Sequence, residues 1–253
     1  LIGHSMGCLV CASYLSNEQN QGKVDKTILI GGPLLGSPKA YSVLDEGRFV
    51  DGLLGMMTSQ LVAPLIKNLV QNFPAIYELL PPKQYFDVEP DGYLHNGVDY
   101  SKPTKITNYE DTVKFINDRA ISKNSDEFLH NAQKFYDELF KEDHFVLEDV
   151  KLKGYNILGV DQNTPGSIIV NKKSKLDIWP NKEIKADGDG MITLNSALVG
   201  KALNKKDNYY LKSVSHMGLI SNKISINVIC NILNNNFRIS DKYNTVVQKS
   251  RPL

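Results

Sequence analysis

Gly3-His4-Ser5-Met6-Gly7 sets a serine between glycines two residues before and two residues after it. A serine hydroxyl becomes a nucleophile only when a base takes its proton and the forming oxyanion finds donors. A tight strand-to-helix turn serves both needs. It lifts the hydroxyl clear of the sheet at a helix N-terminus and lets the next backbone N–H, that of Met6, face the oxyanion. The glycines are expected to leave room for the crowded backbone. The pattern alone is common. Its context here, a strand end before it and an amphipathic helix after it, is the one the chemistry requires.

A serine in such a turn needs an acid and then a base further along the chain. Asp187-Gly188-Asp189-Gly190 and Ser215-His216-Met217-Gly218 supply them in that order. Both follow apolar runs, Tyr155–Val160 and Tyr209–Val214, which deliver side chains to one rim of a parallel sheet. Asp189 is the favoured acid. Asp161, directly at the end of the first run, and Asp187 stay as alternatives. His216 is the candidate base. His4 is expected to pack or hydrogen-bond locally, while His95, His130 and His144 lack a strand-end setting. Asp187-Gly-Asp-Gly is not a calcium loop, because the twelfth position from Asp187 is Leu198 rather than Glu.

These residues need elements to hold them. Leu1-Ile2 reads as a strand end, followed by a helix with Leu9, Val10, Ala12 and Leu15 as its apolar positions. Lys26–Ile30 is a strand stopped by Gly31-Gly32-Pro33. Strand, helix, strand is a parallel α/β unit. Residues 41–150 read as a helical block with no clear strand. Val50, Leu53, Leu54, Met57 and Leu61 share one face. After Pro64, so do Leu65, Ile66, Leu69, Val70 and Phe73. Further helices are expected near 110–119 and 126–140. A last helix carries Ile224, Val228, Ile229, Ile232 and Leu233, and a polar, loosely held tail follows. The expected organisation is a sheet core of 1–40 and 151–240, a helical cap of 41–150 and a tail of 241–253.

Composition narrows the classes. The 253 residues are 42% hydrophobic and 23% charged, enough for a sizeable core. A formal net charge of +1 offers no basic surplus for nucleic acid. Three cysteines, Cys8, Cys11 and Cys230, read as buried free thiols rather than a disulfide framework. Cys8-x-x-Cys11 has no second ligand pair for a metal, and no metal or organic cofactor is implied. No run is long and apolar enough to span a bilayer, and no basic segment marks a signal peptide. Nothing in the sequence assigns a compartment.

The combination resembles the lecithin:cholesterol acyltransferase family, which includes lysosomal phospholipase A2 and bacterial relatives. The parts are the turn at Gly3–Gly7, Gly31-Gly32-Pro33-Leu34-Leu35-Gly36-Ser37-Pro38-Lys39-Ala40, and Pro74-Ala75-Ile76-Tyr77-Glu78-Leu79-Leu80-Pro81. Thr164-Pro165-Gly166, Asp187-Gly188-Asp189-Gly190 with Ser196, and Ser215-His216 complete it. Met191-Ile192 stands where the family has Thr-Val. The resemblance implies an α/β-hydrolase fold, the C-terminal part of its mainly parallel sheet with a helical cap. It implies Ser5 as nucleophile, Asp189 as acid, His216 as base, and Met6 as one oxyanion donor. It also implies earlier strands, a lid and a second oxyanion donor N-terminal to Leu1, so that residues 1–253 alone are expected to be poorly soluble and nearly inactive.

The expected substrate is a lipid or other acyl ester, with an alcohol as a second acceptor beside water and a transient membrane contact through the cap. A general lipase or carboxylesterase is the nearest alternative. A catalytically silent lipid-binding protein is the alternative from another class, and the intact Ser, Asp and His set argues against it.

Overall fold

The computed structural model describes residues 1–47, 64–97, 102–142, 144–148, 150–171, 181–200, 202–205, 207–235 and 246–248. In chain order the elements begin with β1 (Ile2–His4), α1 (Gly7–Ser16), α2 (Glu18–Gln21), β2 (Lys26–Ile30) and α3 (Pro38–Glu46). Helical residues 64–71 (α4), α5 (Pro74–Tyr77), α6 (Tyr85–Val88), β3 (Leu94–Asn96) and β4 (Thr104–Ile106) follow. Next come α7 (Tyr109–Asp118), α8 (Ser125–Leu139), β5 (Phe140–Lys141), β6 (His144–Phe145), β7 (Lys153–Val160), β8 (Thr164–Val170) and β9 (Lys182–Ala186). The last are α9 (Leu194–Ala197), β10 (Asp207–Lys212), α10 (Lys223–Leu233) and β11 (Val246–Gln248).

The chain divides into two units. Leu1–Leu34, Glu138–Thr164 and Ala186–Leu253 make the first; Leu35–Asp137 and Pro165–Lys185 make the second. The first is a mixed α/β unit around a five-stranded sheet in the order β1-β2-β7-β10-β11. The first four strands run parallel, and β11 closes the edge antiparallel to β10. Parallel strands are covered on both faces and so read as continuous apolar runs. Every residue of β2 is buried. One face of the sheet carries Ile28, Ile30, Tyr155, Ile157, Tyr209 and Leu211, packed with Val228 and Ile232 of α10. The side chains alternate by two along each strand, as the pleat demands.

Parallel order matters for the chemistry. β1, β2, β7 and β10 all end on the same side of the sheet, so His4, Ile30, Val160 and Lys212 hand the chain to loops that meet there.

The second unit has a four-stranded sheet, β4-β3-β8-β9. α8 buries Ser125, Leu129, Ala132 and Tyr136, a spacing of three and four that matches the helical period. Two partly buried ion pairs lie here. Lys39 Nζ lies 3.0 Å from Glu183, and Arg119 Nη2 lies 3.0 Å from Asp45.

Several expectations change. The stretch 41–150 is not purely helical: β3, β4 and the β5–β6 hairpin lie within it. Strands of two or three residues carry no readable period, and their pairing comes from β8 and from one another. Val10 faces outward on α1, whose buried side is Cys8, Leu9, Cys11, Ala12 and Leu15. The polar end of the chain contributes β11. Cys8 and Cys11 are buried free thiols, but Cys230 is exposed. Val50, Leu53, Leu54, Met57 and Leu61 lie outside the described residues, as does most of 241–253. Among the described residues no helix is long and apolar enough to cross a membrane.

Candidate active site

Ser5 occupies the first residue after β1. Its N–H donates to the Ile30 carbonyl of β2 at 2.9 Å, which extends the β1–β2 ladder by one bond. Its φ is +54°, a left-handed conformation that costs a side-chain-bearing residue about 1–2 kcal/mol. The chain then turns into α1, with the Cys8 N–H donating to the Ser5 carbonyl at 2.9 Å. Strain at this position is held by the sheet on one side and the helix on the other. Among the described residues the Met6 N–H donates to no protein group.

The two flanking glycines differ. A Cβ on Gly3 would sit 2.6 Å from the Gly7 carbonyl oxygen and 2.9 Å from Cys11 Sγ. Gly3 is therefore required by the close return of α1. A Cβ on Gly7 would meet nothing within 4 Å. Among the described residues, crowding does not account for the second glycine. Beneath the turn, the Cys8 thiol donates toward the Gly3 carbonyl at 3.2 Å. Burial pushes the Cys8 and Cys11 thiols above their usual range, so both stay protonated and unreactive at neutral pH.

His216 follows β10 by four residues and reaches back to Ser5. Its Nε2 lies 2.9 Å from Ser5 Oγ, and its Nδ1 lies 2.7 Å from Asp189 Oδ2. Asp189 and His216 are 2% and 4% exposed. A carboxylate oxygen only accepts, so Nδ1 carries the proton and Nε2 is left to accept from the serine hydroxyl. The Ser5 hydroxyl, the His216 imidazole and the Asp189 carboxylate thus stand in one hydrogen-bonded line, an arrangement along which a proton can pass.

Asp189 is held by its own loop. The Met191 and Ile192 N–H groups donate to Oδ1 at 3.0 and 2.8 Å. The loop is closed by the Gly188–Thr193 bridge and by the Gly190 N–H donating to Thr164 Oγ1 at 2.8 Å. The other carboxylates are used differently. Asp187 Oδ1 accepts from the Asp161 N–H at 2.7 Å, where Asp161 has φ +62°. Both residues are exposed, and among the described residues neither is hydrogen-bonded to His216. His95 lies on β3, His130 on α8 and His144 on β6. His4 Nε2 lies 3.2 Å from the His216 carbonyl oxygen. Among the described residues no group of three or more His, Cys, Asp or Glu could hold a metal ion.

Some contributors were not legible in the sequence as site residues. Gly31 reads as a strand terminator, yet it clears space for the Asp189–His216 pair. It has φ +53°, and a Cβ there would lie 2.9 Å from Asp189 Oδ2 and 3.2 Å from His216 Nδ1. Gly159 of β7 does the same beneath Asp189, where a Cβ would meet the Asp189 Cβ at 2.6 Å. Thr164 reads as part of a motif, and its role as the anchor of the Asp189 loop depends on the fold. Gly31→Ala is expected to lower kcat on a soluble ester by roughly 10–100-fold, because a shift of about 1 Å in a reacting pair costs on the order of 10². Gly22→Ala, with open space around it, should leave kcat unchanged. Wild-type turnover in Gly31→Ala would show that the pair tolerates displacement.

A sequence model of the family described as Lecithin:cholesterol acyltransferase matches residues 1–229. No curated protein sequence gives a match. Among solved structures, a chain in the crystal structure of the Tle4–Tli4 complex superposes with a TM-score of 0.54 at 16% identity. That superposition covers 79% of this chain and 50% of the other, so this chain spans half the length of that neighbour. At this identity the likeness concerns the fold alone.

Proposed function

Because this chain belongs to the lecithin:cholesterol acyltransferase family, we propose that it is a serine-dependent acyl-ester hydrolase or O-acyltransferase of lipid esters, built on an α/β-hydrolase core. The observation that carries this reading is the unbroken line from Ser5 Oγ through His216 to Asp189, with the Met6 N–H unclaimed beside it.

Ser5 Oγ attacks the ester carbonyl carbon while its proton passes to His216 Nε2. The imidazolium so formed is stabilised by Asp189, which keeps its own charge. The oxyanion draws on the Met6 N–H. The protonated Nε2 then gives its proton to the leaving alkoxide, and the acyl group stays on Ser5. Water or an alcohol next loses its proton to Nε2 and attacks the acyl carbon. Ser5 departs with that proton, and an acid or a new ester leaves. Hydrolysis and transfer differ only in which hydroxyl reaches the acyl-enzyme.

The test is incubation of the full-length protein with a phospholipid and a long-chain alcohol, with analysis of products. Free fatty acid alone marks a hydrolase, and a new ester marks a transferase. Neither product, from a protein that is folded and that Ser5→Ala leaves unaltered, would overturn the reading.

The lipid part of the proposal draws support from α4. Leu65 and Leu69, four residues apart on this helix, are 73% and 70% exposed. Apolar side chains in such a row fit contact with a lipid surface. Leu65→Asp and Leu69→Asp are expected to lower long-chain ester turnover by about tenfold or more, since the loss of two such apolar contacts approaches this size. Acetyl-ester turnover and melting temperature should hold. Equal loss on both esters, with earlier melting, would assign this face to packing instead.

A further inference from the structure

The residue before Ser5 has no part in proton transfer, yet it is turned toward the base. His4 Nε2 lies 3.2 Å from the His216 carbonyl oxygen. The two rings are 4.8 Å apart between centroids, inclined at 34°. A carbonyl only accepts, so His4 donates from Nε2. The ionisable groups that face its ring are His216 and Asp189. Burial, and then the neighbouring His216, push the His4 ring below its usual range, which keeps it neutral at pH 7.

With this bond, each polar atom of His216 has a partner. Its N–H donates to the Asp189 carbonyl at 2.8 Å, and its own carbonyl accepts from His4 and from the Leu219 N–H at 3.3 Å. Nδ1 and Nε2 are taken by Asp189 and Ser5. The backbone contacts set the root of the side chain, Asp189 sets one ring edge, and the His4 ring walls one face. A base must hold its geometry to within about 0.5 Å to work at full rate.

We propose that His4 is a positioning residue for His216, its Nε2–H fixing the backbone carbonyl and its ring fixing the imidazole plane. The residue next to the nucleophile thereby sets the spacing between nucleophile and base. This rests on the reading of Ser5 and His216 as that pair. A neutral His4 also presents a π face, rather than a second charge, to the imidazolium that forms on His216.

The test uses a signal that needs no turnover, the exchange with water of the His216 Nδ1 proton in its bond to Asp189. It is read by proton NMR in the full-length protein and assigned by its loss in His216→Gln. His4→Phe keeps a ring and removes the donor. It is expected to speed this exchange about tenfold and to lower kcat on a soluble short-chain ester about tenfold, with KM within about twofold. His4→Gln, whose amide can reach the same carbonyl, should recover at least half of both losses. His4→Ala replaces His4→Phe as the donorless variant should the latter fail to fold. Unchanged exchange in the donorless variant overturns the proposal, and so does His4→Gln performing no better than that variant. Equal activity in wild type and Ser5→Ala would sink the serine-hydrolase reading instead, while the exchange rate still decides the part played by His4.

Discussion

Replacing Ser5 or His216 by alanine is expected to lower kcat by about 10⁴-fold or more, a barrier increase of roughly 5.5 kcal/mol. The expectation comes from the line of hydrogen bonds. Ser5 Oγ is poised 2.9 Å from a bare ring nitrogen whose other nitrogen is tied to a buried carboxylate. Removing the hydroxyl removes the attacking atom. Removing the imidazole leaves a hydroxyl of ordinary acidity, which is a poor nucleophile at neutral pH. Because the groups act as one unit, Ser5→Ala/His216→Ala should be hardly slower than either single variant. Residual rate over water would then reflect substrate binding and the Met6 N–H. Kinetics on a soluble ester in the full-length protein, with covalent labelling of Ser5 by a fluorophosphonate, measure both effects. Near-normal turnover in His216→Ala would mean that another group takes the proton.

Asp189→Asn should rank close behind, with a loss of about 10³–10⁴ in kcat, and its cause is a tautomer. Asp189 Oδ1 accepts two backbone N–H groups, from Met191 and Ile192. An asparagine there must keep its carbonyl oxygen on those donors, which leaves its NH₂ facing His216 Nδ1. Two donors cannot share that contact, so the histidine proton moves to Nε2. That nitrogen then has no lone pair for the Ser5 hydroxyl. The neighbouring carboxylates provide the contrast. Asp161→Ala should stay within about fivefold of wild type. Asp187→Ala should too, with about 1 kcal/mol lost where it accepts the Asp161 N–H. The opposite ranking, with Asp161→Ala dead and Asp189→Asn active, would move the acid to the end of β7.

What was legible in the sequence is what local chemistry spells out. A serine with φ +54° between a strand and a helix calls for small neighbours, and Gly3 answers that call within five residues. The apolar runs of β2, β7 and β10 declare a buried parallel sheet, because both of their faces must be covered. The chain order of serine, acid and histidine also survives in one dimension. Which of three aspartates meets the imidazole does not. Asp187 and Asp189 are two residues apart, and the choice between them lies in a loop pinned by Thr164, by the Gly188–Thr193 bridge and by the His216 N–H on the Asp189 carbonyl. Those contacts join residues up to 27 apart in the chain. Gly31 shows the same divide. Its type marks a turn in any context, but only the arrival of Asp189 and His216 on either side gives its missing Cβ a purpose. The two- and three-residue strands β3 to β6 likewise exist through their partners, since so short a segment has no period of its own. Residue types and order thus determined the chemistry available to this chain, whereas the packing of distant loops at one end of the sheet decided which atoms are close enough to perform it.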